Sequence, residues 1–201
     1  MDGDIFITPS IFTLSGAYGG VLSFAIPIEL QHDILINMTT MSSFVLASAQ
    51  LSDLEQLNQL MYELHDEHHQ SSPEYFKTAQ EIEQEKSIAR YLDDPQCLVY
   101  VAKRDEKIIG FITGHFCELI STVSKPILMG SLDELYVDPV YRQQGVAREL
   151  LLHLEKTFIL YGVKEIFVEV WAFNQAALQL YQATGFVHHI HWLRKSVPHD
   201  Q

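Results

Sequence analysis

The sequence predicts a mixed α/β fold in which a mostly antiparallel sheet is flanked by about four helices. The chain has 201 residues, enough for one ordinary domain with a sizeable core. Segments 128–137, 145–161 and 165–171 follow the order strand, helix, strand, which implies one parallel strand pair with a right-handed crossover. The other strands are joined by short polar turns, which favours antiparallel hairpins.

Composition narrows the classes of function. Lys and Arg number 13 against 26 Asp and Glu, for a formal net charge of −13. Such a surface repels nucleic-acid phosphates and attracts cations, so we expect no nucleic-acid partner. No run reaches the roughly 18 apolar residues of a membrane span, so we expect no membrane partner. Two cysteines, Cys97 and Cys117, are expected to be free thiols in a reducing cytoplasm.

Residues 1–43 are predicted to form a segment apart from the domain at 44–201. The segment contains no Lys or Arg and is apolar, with a glycine-rich middle. A secretory signal needs a positively charged start, which this sequence lacks. Two interpretations stay open: an extra hairpin or arm, or non-native sequence upstream of a true start near Met38 or Met41. We assign it no chemistry.

The first part of the domain is predicted to be a strand followed by two helices. A short strand is expected at 44–49. Ser52 and Glu55 have the spacing of a capping box, and leucines at helical spacing follow them. A second helix is expected from 72–74, where Ser precedes Pro, to about Leu92.

The rest of the domain contains five apolar strand segments and two helices. The strands share β-branched or aromatic residues bounded by polar turns, and we expect them at 98–102, 108–120, 128–137, 165–171 and 186–195. Apolar residues at helical spacing predict a helix at 145–161. A last helix is expected to begin after its cap Asn174 and to end before Gly185, because glycine is common just past a helix end.

The loop between the third of these strands and its following helix has features of a phosphate site. Gly145 and Ala147 have almost no side chain, so a ligand can approach the backbone closely. The N–H groups at a helix start have no internal partner, and the helix dipole adds partial positive charge. Arg142 can add a charge-assisted contact. The alternative is a plain strand-to-helix turn with Arg142 in solvent.

Asn174 and Tyr181 form the second pattern. They are seven residues apart, which places them on nearly the same face of the last helix. The simplest interpretation is structural, because Asn is a good helix cap and a Tyr beside Ala177 is usually part of the core.

Both patterns together, in this order and separated by one helix and one strand, resemble the GNAT superfamily of acyl-CoA-dependent N-acetyltransferases. The family's pyrophosphate motif, Arg/Gln-x-x-Gly-x-Gly/Ala, matches Arg142, Gln143, Gln144, Gly145, Val146 and Ala147. Its later motif, Asn-x-x-Ala-x-x-x-Tyr-x-x-x-Gly-Phe, matches Asn174, Ala177, Tyr181, Gly185 and Phe186. The resemblance covers about 44–195.

The resemblance implies that acetyl-CoA binds as co-substrate between two splayed parallel strands, with no metal. The strand segment Leu135, Tyr136 and Val137 would pair with the pantetheine arm, and backbone N–H groups of 143–147 would hold the pyrophosphate. Asn174 and Ala177 would also line the cofactor site. This place agrees with the preference of ligands for the carboxyl ends of sheet strands.

The expected mechanism is direct attack of an amine on the thioester, which requires a base. Alternation along a strand places Asp133 and Glu134 on opposite faces, so one of them can face the acceptor; we favour Glu134 slightly. The alternative is an acid that faces solvent. In the family, the tyrosine at the place of Tyr181 donates to the departing thiolate, and the N–H of Leu135 would polarise the acetyl carbonyl.

Three hypotheses for the acceptor and the reaction remain. The charge balance favours a small cationic amine, and segment 132–137 looks like the corresponding strand of spermidine/spermine-type acetyltransferases. A peptide or protein amine is the second hypothesis, and a non-catalytic acyl-CoA-binding module is the third. A homodimer is an open alternative. His65, His68 and His69 share one helix, but we do not expect them to bind a metal.

Overall fold

A computed structural model describes residues 44–119, 125–191 and 193–197. The predicted segment at 1–43 therefore lies outside the described residues. Within the described ranges, no helix is both long and apolar enough to cross a bilayer.

The described strands form a single mixed sheet whose spatial order is the same as their chain order. β1–β2, β2–β3 and β3–β4 are antiparallel, whereas β4–β5 is the predicted parallel pair. The strands are β1 Val45–Ser48, β2 Cys97–Arg104, β3 Lys107–Leu119, β4 Ile127–Val137 and β5 Glu165–Val168.

Helices cover both faces of the sheet. The α-helices are α1 Leu54–Ser71, α2 Ala79–Glu85, α3 Ile88–Asp93, α4 Val146–Leu160 and α5 Gln175–Ala183, with short 3-10 turns at Leu51–Asp53 and Pro139–Tyr141. Leucines of α1 and Ile88 of α3 pack with Phe111 and Tyr136 on one face of the sheet. On the other face, α4 and α5 pack against Ile112 and Leu135. The mixed α/β prediction is confirmed.

The prediction for the start of the first helix was wrong in its detail. The capping box is formed by Gln50 and Asp53 instead of Ser52 and Glu55. The Asp53 carboxylate accepts from the N–H of Gln50 at 2.9 Å. Asp53 is buried and bonded to Lys103 of β2 at 2.6 Å, so it ties the helix entry to the sheet. Within the part of the chain that the structure describes, Ser52 and Glu55 make no comparable bond to the sheet.

The predicted second helix is two short helices instead of one. Ser72 ends α1, since its N–H bonds to His68 O at 3.1 Å. The next helix begins only after Thr78, whose hydroxyl and the Glu81 carboxylate form a reciprocal capping box. Lys86 then takes an extended conformation, and Ser87 caps α3. These internal caps override the Ser-Pro start signal, and they place Lys86 in a junction between helices.

The predicted closing strand at 186–195 was also wrong. The described residues of this segment form no strand, and Val187, Ile190 and Leu193 are largely exposed. Alternation stabilises a strand only when one face is buried against a partner. Because β5 pairs over only four residues, it is a short edge, and the chain beyond Phe186 does not extend the sheet.

Phe158 fixes α4 on the sheet. A Cβ at Gly130 of β4 would lie 2.7–2.8 Å from three atoms of the Phe158 ring, and one at Gly114 of β3 would lie 3.0 Å from it. The two glycines therefore leave the space that the ring fills. Since α4 begins at the expected phosphate site, this contact helps to set where that site lies.

We expect Gly130→Ala to lower the free energy of unfolding by about 1–3 kcal/mol, because overpacking a filled core forces side chains out of their rotamers. Denaturant unfolding measures the change. In a Phe158→Leu background, the same substitution should cost much less, since the ring is gone. Equal costs in both backgrounds would contradict this packing account.

Candidate active site

An irregularity in β4 determines where the two acidic residues point. Thr113 pairs with Glu134 and Gly114 pairs with Leu132, so Asp133 is an extra residue without a partner in the ladder. Such a bulge re-aims side chains next to it. Asp133 and Glu134 consequently face the same side of the sheet, and the prediction that they point to opposite faces was wrong.

Contacts on that side confirm the shared orientation. Asp133 Oδ1 accepts from Ser131 Oγ at 2.9 Å, and Glu134 bonds to Lys86, which comes from the α2–α3 junction. Burial first, and then the charges of both Asp133 and Glu134, raise the pKa of the Tyr91 phenol on α3. Both carboxylates are thus close to α3.

Asp133 is fully engaged by its neighbours. Its second oxygen, Oδ2, accepts from Nδ1 of His115 at 2.7 Å. That hydrogen bond is the largest of the effects that raise the pKa of His115 to about 10, which makes the ring a cation at neutral pH. With both oxygens bonded and a cation beside it, Asp133 is poorly suited to take a further proton.

Glu134 has the properties of a poised base. Its side chain has no exposed surface, one oxygen bonds to Lys86, and the other, Oε2, has no hydrogen-bond partner among the described residues. Burial is the largest effect on its carboxyl pKa; Lys86 opposes it, and the net result is a pKa raised to about 7. A general base is most effective with a pKa near the working pH.

Tyr181 of α5 lies in the core cluster that α4 and α5 form with Leu132 and Leu135 of β4. It is 1% exposed, and its hydroxyl has no hydrogen-bond partner among the described residues. Burial first, and then the charge of Glu134, hold the pKa of the Tyr181 phenol well above its ordinary value. The phenol therefore stays protonated and can donate. Glu134 Oε2 and Tyr181 OH are thus two buried polar atoms, one an acceptor and one a donor, without a hydrogen-bond partner among the described residues, which is unusual unless a ligand completes them.

Strands β4 and β5 separate just before Glu134. Their ladder covers Met129–Leu132 of β4 and ends where Leu132 pairs with Val168, although β4 continues to Val137. The segment Leu135, Tyr136 and Val137 is therefore bonded to β3 on one side only. Its other edge opens toward the gap, where an extended ligand arm can pair with the backbone. All three side chains are buried, so only the backbone is offered.

The start of α4 has the shape of an anion site. Gly145 is its N-cap with a φ of 81°, and a Cβ there would meet no atom within 4 Å. Gln143 also has a positive φ, 62°, and both Gln143 and Gln144 are exposed. The first bond of the helix runs from the N–H of Glu149 to Gly145 O, so the earlier amides of the turn precede the ladder.

The side chains of Val146 and Ala147, the next two residues, are buried and anchor the start of α4 to the core. Their backbone amides belong to the first turn, where N–H groups point out of the helix end. The helix has 15 residues, long enough for a full end dipole.

The Arg142 side chain points elsewhere. Its Nη2 donates to both Glu67 oxygens of α1, at 2.9 and 3.1 Å, and its Nε donates to Val137 O at 2.8 Å. The guanidinium also lies 5.2 Å from the Tyr136 ring centre. The sequence suggested either a phosphate contact or solvent for this side chain, and the structure shows neither: a carboxylate on α1 holds it.

Asn174 performs the structural role that its position predicts. Its Oδ1 accepts from the N–H of Ala177 at 3.0 Å, which caps α5, and both residues are buried. Gly185, with a φ of 99°, lies just past the helix end as predicted. These caps fix the length of α5 and hence the depth of Tyr181.

Sequence reasoning missed Lys86, His115 and Glu67. Lys86 was placed inside a continuous helix, where a lysine is usually solvated. His115 lies within the strand predicted at 108–120, where nothing in the sequence singles it out, and only the bulge brings Asp133 to it. Histidines of α1 were considered as ligands, yet His65 and His68 are buried in the core, where burial lowers their pKa values to about 3 and about 4.

A mixed sheet whose parallel pair opens beside a glycine-started helix defines the class of fold, and comparison with known proteins then gives the family. A family model described as the acetyltransferase (GNAT) family matches residues 58–186, more than half of the chain. The chain belongs to the GNAT acetyltransferase family.

Solved structures agree. The chain is 59% identical to an acetyltransferase from Vibrio fischeri, with a TM-score of 0.54 over 63% of this chain and 96% of that one. A Bacillus halodurans protein, 18% identical, has a TM-score of 0.69 over 77% of this chain and 99% of its own. An aminoglycoside antibiotic 6'-N-acetyltransferase from Acinetobacter haemolyticus, also 18% identical, has a TM-score of 0.59 over 78% and 99%. The last two show the fold alone.

Among curated proteins, [ribosomal protein bS18]-alanine N-acetyltransferase of Escherichia coli K12 is 43% identical over 56 residues. That match covers 28% of this chain and only 38% of the length of the relative.

We expect Gly145→Ala to weaken acetyl-CoA binding, because the new Cβ enters the open space at the helix start. The positive φ should also cost about 1–2 kcal/mol of stability. Gly162→Ala is the matched control, since Gly162 has a φ of 84° and equally open surroundings at the other end of α4.

Calorimetric titration with CoA and thermal unfolding measure the two effects. Both variants should lose similar stability, and only Gly145→Ala should lose affinity. Equal affinities for the two variants would show that the helix start does not hold the ligand.

Proposed function

We propose that the chain is an acetyl-CoA-dependent N-acetyltransferase that transfers acetyl to a primary amine by direct attack in a ternary complex. The single observation that carries the proposal is the pair of buried atoms without a hydrogen-bond partner among the described residues, Glu134 Oε2 of β4, just past the end of the β4–β5 ladder, and Tyr181 OH of α5. Acyl transfer to nitrogen requires a base that accepts a proton from the attacking amine and a hydrogen-bond donor that stabilises the departing thiolate.

The residues present fit acetyl-CoA. The free edge of β4 at 135–137 suits the pantetheine arm, and the amides from Gln143 to Ala147 suit the pyrophosphate at the start of α4. Asn174 and Ala177 act in this proposal by shaping α5 beside the gap. Bound acetyl-CoA supplies the acetyl thioester; no metal is needed for this reaction.

Glu134 is the proposed base. An amine at neutral pH is largely protonated and must lose a proton before it attacks. Because Asp133 is bonded at both oxygens, the choice between the two acids falls on Glu134, whose Oε2 is free to accept among the described groups. In this proposal Asp133 is a positioning residue: its hydrogen bond to His115 stabilises the bulge that orients the side chain of Glu134.

Tyr181 is the proposed donor to the departing thiolate. Full proton transfer from a phenol of pKa about 10 to a thiol of pKa about 8.5 is uphill by about 2 kcal/mol. The raised pKa of Tyr181 makes complete transfer harder still, so its main contribution is a hydrogen bond that stabilises the thiolate as it forms. The N–H of Leu135 is the proposed oxyanion donor, because β4 presents its backbone at the gap.

The acceptor we favour is a small cationic amine. Net charge −13 attracts cations, and the site offers a buried carboxylate as a counter-charge. A peptide or protein N-terminal amine is the second candidate, favoured by the curated relative that is named for ribosomal protein alanine.

The first test is CoA release from acetyl-CoA with a panel of acceptors: spermidine, aminoglycosides, amino acids and short peptides that begin with alanine. We expect turnover with one class, and a loss of about 10²–10⁴-fold in kcat for Tyr181→Phe, the range for a positioned proton donor. Tyr100→Phe is the matched control, because Tyr100 is a buried tyrosine bonded to Thr157 at 2.9 Å, outside the site.

Equal kcat values for the wild-type protein and Tyr181→Phe would remove the tyrosine from the mechanism. Binding of acetyl-CoA without turnover of any acceptor would favour the non-catalytic binding module.

The pH dependence tests Glu134. The base must be deprotonated, so we expect kcat to rise with pH around pH 7, where the raised pKa of Glu134 lies. Glu134→Gln should lose this rise together with about 10²–10⁴-fold of kcat. Glu165→Gln, an exposed change at the far end of β5, should keep the wild-type profile. An unchanged profile in Glu134→Gln would assign the base to another group.

A further inference from the structure

Lys86 occupies the place that the proposed function gives to the acceptor amine, beside Glu134. Its ammonium bonds to Glu134, and Glu134 is the residue that we propose as base. For proton abstraction, an acceptor nitrogen must come within hydrogen-bond reach of the base. Lys86 has already met this requirement, from 48 positions away in the sequence.

The position of Lys86 is built into the fold. Its backbone N–H bonds to Ile82 O at 2.7 Å and ends α2, and the next residue, Ser87, accepts from Ala89 N at 3.2 Å and begins α3. The side chain leaves this junction toward Glu134 and passes Tyr91, with Nζ 5.8 Å from the ring centre. Two helix caps therefore hold one lysine at the proposed base.

Other lysines in ion pairs differ in their partners. Lys103 bonds to buried Asp53, and Lys107 bonds to Asp138, and neither carboxylate belongs to the proposed site. Of these three lysines, Lys86 alone is paired with the residue that we propose as base, and the carboxylate of that residue has no exposed surface.

We propose that Lys86 is acetylated by the protein's own active site, within one molecule. The proposal rests on the proposed function, and uses the same base and donor. The Lys86 nitrogen forms a bond to the acetyl carbon as the carbon–sulfur bond breaks. Two protons leave the nitrogen: one passes through Glu134 to solvent, and the other ends on the CoA sulfur. The products are N-acetyl-lysine and CoA.

Acetylation has a consequence for the site itself. It removes the cation that faces Glu134 and leaves a neutral amide, so nothing opposes the effect of burial on the carboxylate. The carboxyl pKa of Glu134 then rises further, and less of the base is deprotonated at neutral pH. Modified protein should therefore turn over amines more slowly, with its kcat–pH profile shifted to higher pH.

The test uses the full chain with acetyl-CoA and no acceptor, followed by intact mass and peptide mapping over time. We expect one acetyl group per chain, at Lys86. Its rate constant should not change over an about tenfold range of protein concentration, because the reaction is intramolecular. Lys86, at 26% exposure, should react before Lys77 and Lys107, which are 54% exposed.

Variants then separate catalysis from chemical acylation. Glu134→Gln and Tyr181→Phe should each slow labelling by about 10²-fold or more. Lys86→Arg keeps the charge and should take no label, whereas Lys103→Arg, a lysine in a comparable buried ion pair, should label as the wild-type protein does. The site and rate of labelling in the wild-type protein are measured without any variant. A variant that fails to fold therefore does not leave the proposal untested.

Each other outcome overturns the proposal in a distinct way. If the most exposed lysines, Lys77 and Lys107, are labelled before Lys86, the labelling is non-enzymatic acylation by acetyl-CoA. Turnover of an added amine while Lys86 stays unmodified would end the inference and leave the proposed function standing. Bound acetyl-CoA with neither turnover nor labelling would overturn both.

Discussion

The extra residue in β4 is the constraint on which the site depends. Without it, Asp133 and Glu134 would alternate across the sheet, and one acid would enter the core beneath α4. The bulge places both on the side of α1 and α3, and Ser131 and His115 then bind Asp133. The strand gains a buried acid–base cluster at the point where it leaves β5.

Burial of so much charge is tolerable because each group is opposed by another. An isolated carboxylate in a core is costly, and pairing with bonded partners offsets most of that cost. Asp133 is satisfied by His115, and Glu134 is half satisfied by Lys86, with one oxygen left over. Glu134, with one oxygen that lacks a hydrogen-bond partner among the described residues, is the proposed reactive group. Asp133, its neighbour in sequence, has both oxygens bonded and is structural.

The sequence was sufficient for five strands of the sheet, the parallel crossover and the helix that starts at Gly145, because apolar periodicity and glycine position are local signals. It was wrong for 186–195, where alternation alone does not show whether a partner strand buries one face. It was insufficient for side-chain direction at Asp133, since a bulge depends on pairing with β3. Lys86 was missed because internal caps divide what one continuous pattern suggested. Arg142 was misplaced because its partner, Glu67, is 75 positions away.

The ring of Phe158 over Gly114 and Gly130 links three positions that are far apart in the chain. A larger residue at Gly130 requires a smaller one at 158, whereas a Cβ at Gly114 would also lie 2.7 Å from the backbone oxygen of Ser131. The same ring thus has two functions: it fills the core, and by lying flush on the sheet at Gly130 it sets how closely the axis of α4 approaches β4.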